Sequence, residues 1–291
     1  MDALRGIRVL VTGATGFLGT RVVDQLGAQG ADVHAINGRD VNAVARLAKA
    51  VDPQRVIHLA GFTDIGRSWT HADECFAANV GATVALLDAV RFTACERFVF
   101  ASTADVYGDA PVPFREDGPV NPLSPYAQSK RAAELSCLKE GAVVVRPFNS
   151  YGPGQPPNRV VADVILTALK GQDVQMRGGT PRREFNFGDD TAAGIVAAAT
   201  VDGLGGEVLN LGCGRDISIR ELAELILGLM GDPVKAVFGV LDDRPVEVPV
   251  VVAATEKARR LLGWSPSRSL EEGLVETISW YRAQALKVDG R

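Results

Sequence analysis

Two short motifs in this chain hold groups that can carry out redox chemistry on an alcohol. The first, Tyr126-Ala-Gln-Ser-Lys130, puts a phenol and an ammonium group one helical turn apart on the same helix face. The second, Thr12-Gly-Ala-Thr-Gly-Phe-Leu-Gly19, is a glycine-rich turn after an apolar run. Together they predict a nicotinamide cofactor beside a tyrosine that moves a proton during reversible alcohol oxidation.

The glycine turn has the spacing of a dinucleotide site. Gly13 permits a tight turn, Gly16 lets the backbone approach a pyrophosphate, and Gly19 lets the following helix pack on the strand. The helix N-terminus then faces the phosphates. A turn of this kind that follows a strand and opens a helix predicts dinucleotide binding.

The end of the next predicted strand bears on the choice between NAD(H) and NADP(H). An acid at this place normally binds the adenosine ribose, but the chain has Asn37, with Arg39 two residues later. Asn37 does not repel a 2′-phosphate, and Arg39 can pair with one. We therefore expect NADP(H) or NAD(H), with a preference for NADP(H), and we place Asp40 and Val41 near the adenine.

Strands and helices alternate along the first half of the chain. Apolar runs predict strands over 6–12, 32–36, 55–60, 97–102 and 142–146. Helical patterns cover 17–29, 42–50, 72–90 and 126–139. This alternation predicts an α/β fold with a doubly wound parallel sheet, a Rossmann fold.

The pattern loosens after Pro147. Helices are expected near 160–170 and 191–201, short strands near 174–176 and 207–211, and two further helices after the capping boxes Ser218–Glu221 and Ser269–Glu272. We expect a smaller α+β substrate lobe that closes over the carboxyl edge of the sheet. The proposed division is a dinucleotide-binding domain over 1–150 plus part of 180–215, and an interwoven substrate lobe over 151–180 and 215–291.

The composition of the chain argues against nucleic acid, a membrane and a metal ion as binding partners. Charged residues make up 23% of the 291 residues, the formal net charge is −4, and no Lys/Arg run predicts nucleic-acid binding. The longest apolar stretches are too short for a membrane span. Cys75, Cys95, Cys137 and Cys213 are widely spaced, so we expect reduced thiols, no metal site and a cytoplasmic location.

Several further motifs occur in an order that resembles a known family. Asn79 lies on the long helix before the strand that ends in Phe100-Ala-Ser-Thr-Ala-Asp-Val-Tyr-Gly108, and Tyr126 and Lys130 follow. Later matches are Arg146-Pro-Phe-Asn-Ser-Tyr-Gly-Pro-Gly154, Arg183-Glu-Phe-Asn-Phe-Gly-Asp-Asp190, Asp243-Arg-Pro245 and Leu262-Gly-Trp-Ser-Pro266. From about Ile7 to about Trp280 the chain resembles the nucleotide-sugar epimerase/dehydratase branch of the extended short-chain dehydrogenase/reductases.

The resemblance implies roles for particular residues. It assigns catalysis to Thr103, Tyr126 and Lys130. The cofactor-binding positions are Gly13, Thr15, Gly16, Phe17, Leu18, Gly19, Asn37, Arg39, Asp40, Val41, Leu59, Ala60, Gly61, Asn79, Tyr126, Lys130 and Pro147. We expect substrate binding at Thr103, Asn149, Arg183 and Arg244, with Asn149 near the sugar diphosphate, and also at Thr63 and Arg67, which follow the third strand at the carboxyl edge of the sheet. A nucleotide-sugar substrate and a homodimer are expected.

One departure from the family pattern bears on the reaction. Family 4,6-dehydratases have an Asp-Glu pair after the catalytic threonine, whereas this chain has Ala104 and Asp105. The missing pair argues against a 4,6-dehydratase. The segment between the second strand and Asp40 is short, as in the compact reductases of this branch, and Asn37 in place of the ribose-binding acid suits an exchangeable NADPH. We therefore expect an oxidoreductase acting at C4 of a nucleotide-activated hexose, namely a 4-keto-sugar nucleotide reductase. The alternative is a nucleotide-sugar 4-epimerase, and an alternative of another class is a non-catalytic NAD(P)-sensing protein.

Overall fold

The structure is a computed structural model that describes residues 4–36, 41–241 and 246–289, without the side chains of residues 41, 42 and 287–289. The predicted cofactor residues Asn37, Arg39 and Asp40 and the predicted substrate residue Arg244 lie outside the described residues. The backbone of Val41 is described, but its side chain is not.

Twelve strands are present in the described part of the chain. They are β1 (Arg8–Thr12), β2 (Asp32–Ile36), β3 (Arg55–His58), β4 (Arg97–Ala101), β5 (Val143–Pro147), β6 (Asn149–Tyr151), β7 (Val174–Met176), β8 (Arg182–Phe187), β9 (Val208–Leu211), β10 (Asp216–Ser218), β11 (Ala236–Phe238) and β12 (Val250–Val251).

The α-helices are α1 (Phe17–Ala28), α2 (Val41–Val51), α3 (Ile65–Ser68), α4 (Ala72–Phe76), α5 (Ala82–Val90), α6 (Pro125–Lys139), α7 (Val160–Leu169), α8 (Gly188–Thr200), α9 (Ile219–Met230), α10 (Glu256–Leu262) and α11 (Leu270–Asp289). The two predicted capping boxes are present. Ser218 caps α9, and Ser269 and Glu272 exchange hydrogen bonds at the start of α11.

The larger lobe is built on a parallel sheet of six strands in the order β2-β1-β3-β4-β5-β9. Alternate residues of β1 serve two cores. Val9 and Val11 pack with α1 and α8, whereas Leu10 packs on the opposite side with α5 and α6. Both faces of the sheet are therefore covered, which explains why its strands read as continuous apolar runs.

The strand order reverses between β1 and β3, and ligands bind at such a switch point in open α/β sheets. The strand expected near 207–211 is β9, and it joins the edge of this large sheet beside β5 rather than the smaller lobe. The helix before it, α8, packs on α1.

The smaller lobe is mixed. Its main sheet has the order β10-β8-β12, with β6 also paired to β8, and a separate pair joins β7 and β11. Helices α7, α9 and α11 share one apolar core with these strands. The fold prediction, an α/β Rossmann sheet with a smaller α+β lobe, is confirmed.

The helix expected over 72–90 is continuous but not regular. Between α4 and α5, residues Ala77–Gly81 form a π-helical segment, in which the amide of Ala82 bonds the carbonyl of Ala77. Such segments are rare and occur frequently at functional sites. This one carries Asn79.

Candidate active site

The glycine turn lies at the switch point between β1 and β3. Gly13 has φ +71°, and a Cβ placed on it would lie 2.7 Å from the amide nitrogen of Ala60. A Cβ on Gly19 would lie 2.0 Å from the carbonyl oxygen of Gly13. The close approach of turn, helix and neighbouring strand therefore requires glycine at both places.

This cradle fits the pyrophosphate of a dinucleotide. Gly16 is the N-cap of α1, has an extended backbone and makes no side-chain capping bond. The first amides of α1 are thus available to an anion. Thr15, Phe17 and Leu18 lie on the same turn, Leu59, Ala60 and Gly61 follow β3, and Pro147 ends β5.

Tyr126 sits in the first turn of α6. Ser124 caps the helix by accepting a hydrogen bond from the Ala127 amide at 3.1 Å, and Pro125 occupies the first helical position. The ring is 7% exposed. Burial raises the pKa of Tyr126, the carboxylate of Asp105 raises it further, and Thr103 and Arg159 act in the opposite direction.

Lys130 lies one turn further along α6 and is 5% exposed. Its ammonium donates to the carbonyl oxygen of Ala101 and lies 4.3 Å from the centre of the Phe100 ring. Burial lowers the pKa of Lys130 to about 8, against the opposing effect of Glu134. The group is therefore still largely charged at neutral pH.

Asn79 ties the cofactor side to the catalytic helix. Its Oδ1 accepts from the Phe62 amide at 2.8 Å, and its Nδ2 donates to the Phe62 carbonyl and to Ser129 Oγ. Ser129 in turn donates to the carbonyl of Tyr126. A Cβ on Gly61 would lie 2.5 Å from the Asn79 oxygen, so Gly61 must lack a side chain here.

His58 completes this buried network. Thr83 donates its hydroxyl proton to the Asn79 carbonyl at 2.6 Å, so it can only accept from His58 Nε2, 3.0 Å away. Nδ1 of His58 is then the acceptor for the Thr12 hydroxyl at 2.6 Å, and Thr12 also accepts from the Ala60 amide. Burial lowers the pKa of His58 to about 3, so the ring stays neutral.

A buried ion pair holds the far side of α6. Glu134 accepts two hydrogen bonds from the Arg146 guanidinium, at 2.8 and 3.0 Å, and both side chains are almost fully buried. The pair joins α6, one turn beyond Lys130, to β5. Tyr107, which stacks under the guanidinium, has a packing role and bonds Asn210 through its hydroxyl.

The predicted substrate residues are less uniformly placed. Asn149 is exposed at the start of β6 and donates to the Glu184 carbonyl at 3.2 Å. Arg183 pairs with Glu247, and Arg67 pairs with Glu74 at 2.6 Å. Thr63 is exposed and accepts a hydrogen bond through its carbonyl. Two of the arginines expected to bind the substrate, Arg183 and Arg67, are thus paired with carboxylates of the protein itself.

Sequence reasoning missed Arg159 and the role of His58. Arg159 is the N-cap of α7 in the smaller lobe, donates to the Thr63 carbonyl at 3.1 Å and lies close enough to lower the pKa of Tyr126. Its place immediately before a predicted helix was the available signal. Among the described residues, no group of three or more His, Cys, Asp or Glu side chains could hold a metal ion.

The sequence and the fold of this chain are similar to those of known proteins. The sequence model of the NAD dependent epimerase/dehydratase family matches residues 9–212. The chain belongs to this family.

Individual relatives of the family match nearly the whole chain. UDP-glucuronate 4-epimerase of Thermodesulfobacterium geofontis is 31% identical over 93% of this chain and 95% of its own. dTDP-glucose 4,6-dehydratase of Streptomyces niveus is 31% identical over 95% and 93%. The structure of MoeE5 in complex with UDP-glucose and NAD is 32% identical, with a TM-score of 0.88 over 96% of this chain and 99% of that one.

The predicted family is thereby confirmed, and the chain is an NAD-dependent nucleotide-sugar epimerase/dehydratase enzyme. The non-catalytic alternative is set aside. Within the described residues, no helix has the length and apolar character needed to cross a bilayer.

Proposed function

We propose that this enzyme is a nucleotide-sugar 4-epimerase that uses NAD(H). The observation that carries the proposal is the buried set of Tyr126, Lys130 and Thr103 beside the glycine turn, with Ala104 directly after the threonine. A methyl group cannot exchange a proton, so one member of the acid pair that a dehydratase uses is missing. Oxidation and reduction at C4 need no such acid pair, only a proton-exchanging group, a charge beside it and a group that positions the 4-oxygen, and Tyr126, Lys130 and Thr103 can supply these.

Each residue of the set has a different proposed role at the 4-oxygen of the sugar. When bound, NAD⁺ supplies the hydride acceptor for C4. Tyr126 takes the proton of the 4-hydroxyl and returns it to the oxygen after the sugar has presented its other face. Lys130 stabilises the phenolate by its charge, and Thr103 positions the 4-oxygen. A complete turnover leaves no net NADH.

This proposal reverses the order of preference given by the sequence, which put a 4-keto-sugar reductase first. That preference, like the preference for NADP(H), depended on Asn37 and Arg39, which lie outside the described residues. The relatives reported above are a 4-epimerase and a 4,6-dehydratase, and NAD is the dinucleotide in the MoeE5 complex. These observations favour the epimerase and NAD(H).

The test is a panel of UDP- and dTDP-hexoses and UDP-hexuronates, incubated with enzyme and NAD⁺ and followed by proton NMR at C4. The epimerase predicts interconversion of the C4 epimers without accumulation of NADH. Loss of water from the sugar would instead identify a dehydratase. Reduction of a 4-keto sugar nucleotide with consumption of NADPH, and no epimerisation, would establish the reductase.

We further propose a homodimer in the cytoplasm. Apolar side chains of the helix pair beside the active site are exposed, namely Phe76 at 38%, Val84 at 39% and Leu135 at 54%. Burial of such side chains in a partner helix face is favourable. All four cysteines are free, as in a reducing compartment. Light scattering should give twice the chain mass, and Leu135→Glu should shift it toward the monomer.

A further inference from the structure

Arg21 joins the helix of the cofactor cradle to the smaller lobe. It lies in the second turn of α1, and its side chain is 12% exposed. Its Nη1 donates to the carbonyl oxygen of Phe17, the first residue of α1, at 2.7 Å. Its Nη2 donates to the carbonyl oxygen of Pro153, in the segment between β6 and α7, at 2.6 Å. One side chain therefore bonds both the start of the cofactor helix and a segment that is distant in the sequence.

The packing around Arg21 is tight. The guanidinium carbon lies 4.2 Å from the centre of the Phe17 ring. A Cβ placed on Gly188, at the start of α8, would lie 2.8 Å from Arg21 Nε and 2.8 Å from the Phe17 ring, so α8 can approach this closely only with glycine there. Phe17 and Arg21 thus form one packed unit between α1, α8 and the segment after β6.

The charge of Arg21 lies near the N-terminus of α1. Side chains of a helix lean toward its N-terminus, and the bond to the Phe17 carbonyl shows that Arg21 does so. The first turn of α1 contains no acidic residue, and a cation beside the positive end of a helix dipole is unfavourable by itself. Asp189, which is half exposed, offsets part of this charge at 3.6 Å. A pyrophosphate on the first amides of α1 would offset more of it.

We propose that Arg21 is a positioning residue for the cofactor: it braces the first turn of α1 against the segment after β6, adds positive charge behind the pyrophosphate cradle, and so slows the release of the dinucleotide. Arg21 acts through Phe17 and α1, away from the reacting carbon. The inference rests on the proposed function, because a 4-epimerase must keep the same dinucleotide bound between the removal of the hydride and its return.

The experiment compares the release of NADH from wild type, Arg21→Met and Arg21→Lys. Protein loaded with NADH is mixed with excess NAD⁺, and the change in NADH fluorescence gives the dissociation rate. Methionine keeps an unbranched apolar chain against Phe17 but removes the charge and both hydrogen bonds, so release should be about tenfold faster. Lysine keeps the charge and can bond only one of the two carbonyls well, so release should be about threefold faster.

Gln25→Ala is the matched control that separates this role from a general structural one. Gln25 lies one turn further along α1 and donates to the Asp189 carbonyl at 2.9 Å, so its loss loosens α1 on α8 without removing the bonds to Phe17 and Pro153. Release should be unchanged in Gln25→Ala, and urea unfolding of the cofactor-free proteins gives the stability of each variant.

Two results would overturn the proposal. The first is an unchanged release rate in Arg21→Met, or in Arg21→Lys should the methionine variant fail to fold. The second is equal acceleration in Gln25→Ala, which would show that Arg21 only stabilises the fold. Because no sugar enters the measurement, the result is independent of whether 4-epimerisation is found.

Discussion

The two walls of the active site are built differently. The inner wall, formed by Tyr126, Lys130, Asn79 and His58, belongs to the larger lobe, and all four side chains are less than a tenth exposed. The second set, called the outer wall here, consists of the residues that we predict or propose to meet the substrate, and it is exposed or half-buried: Asn149, Arg159, Arg183 and Arg67. Three of these four outer residues come from the chain after β5.

We infer from this difference that the inner wall carries the chemistry and the outer wall the choice of substrate. Every polar group of the network from Thr12 through His58 and Thr83 to Asn79 has a partner and a fixed hydrogen direction. Such a network is rigid, and a rigid inner wall suits proton and hydride movement at one carbon whatever sugar is bound.

The strongest test of the inner wall is Tyr126→Phe. It should lower kcat by about 10²–10⁴-fold, because the phenol that exchanges a proton with the 4-oxygen is gone. The NAD⁺ affinity should stay close to wild type, since the glycine turn is intact. Steady-state rates and calorimetric titration measure the two effects. Retention of more than a tenth of the wild-type rate would remove Tyr126 from the mechanism.

A smaller effect is expected when the support of the inner wall is broken. His58→Leu removes the acceptor of the buried Thr12 hydroxyl and the ring N–H that Thr83 accepts, which should lower the free energy of unfolding by about 1–3 kcal/mol. NAD⁺ affinity should fall as well, because Thr12 adjoins the glycine turn. Urea unfolding and NAD⁺ titration measure both.

The matched control is His71→Gln, which changes an exposed histidine outside the network. It should alter neither quantity. Equal stability of His58→Leu and wild type would show that the network does not hold the site.

The features that depend on local sequence could be predicted, whereas those that depend on contacts between distant residues could not. Tyr126, Lys130 and the glycine turn depend on spacing within one segment, so their places on α6 and before α1 could be predicted, while their roles stay predictions. The alternation of apolar strands and helices also predicted the sheet. The π-helical segment was invisible, because an Ala/Val-rich stretch has the same apolar pattern with or without it. Arg159 and His58 were missed because their roles depend on contacts distant in sequence.

The charge of Lys130 predicts how the inner wall responds to pH. Burial lowers its pKa to about 8, so the ammonium is present below that pH and is lost as the pH rises through it. In the proposed mechanism this charge stabilises the phenolate of Tyr126, so kcat/KM should fall above about pH 8, approaching tenfold per pH unit. A pH–rate profile checks this, with NAD⁺ binding measured at each pH. A flat profile to pH 10 with full NAD⁺ occupancy would contradict it.

The outer wall is tested by Arg159→Ala, with Arg67→Ala as the matched control. Arg159 extends from the smaller lobe to the Thr63 carbonyl, and we propose that it meets the phosphate or hydroxyl oxygens of the nucleotide sugar, whereas Arg67 is already held by Glu74. Loss of one hydrogen bond to a charged group should raise KM about tenfold. The same substitution should leave NAD⁺ affinity unchanged, because the inner wall holds the cofactor. Arg67→Ala should change KM less than twofold, because it removes only an exposed ion pair within the protein, and such pairs contribute little energy.

If both variants raise KM equally, the small lobe does not select the substrate through Arg159. If Arg159→Ala instead weakens NAD⁺ binding, the two walls are not separate, and the division of labour between them is wrong.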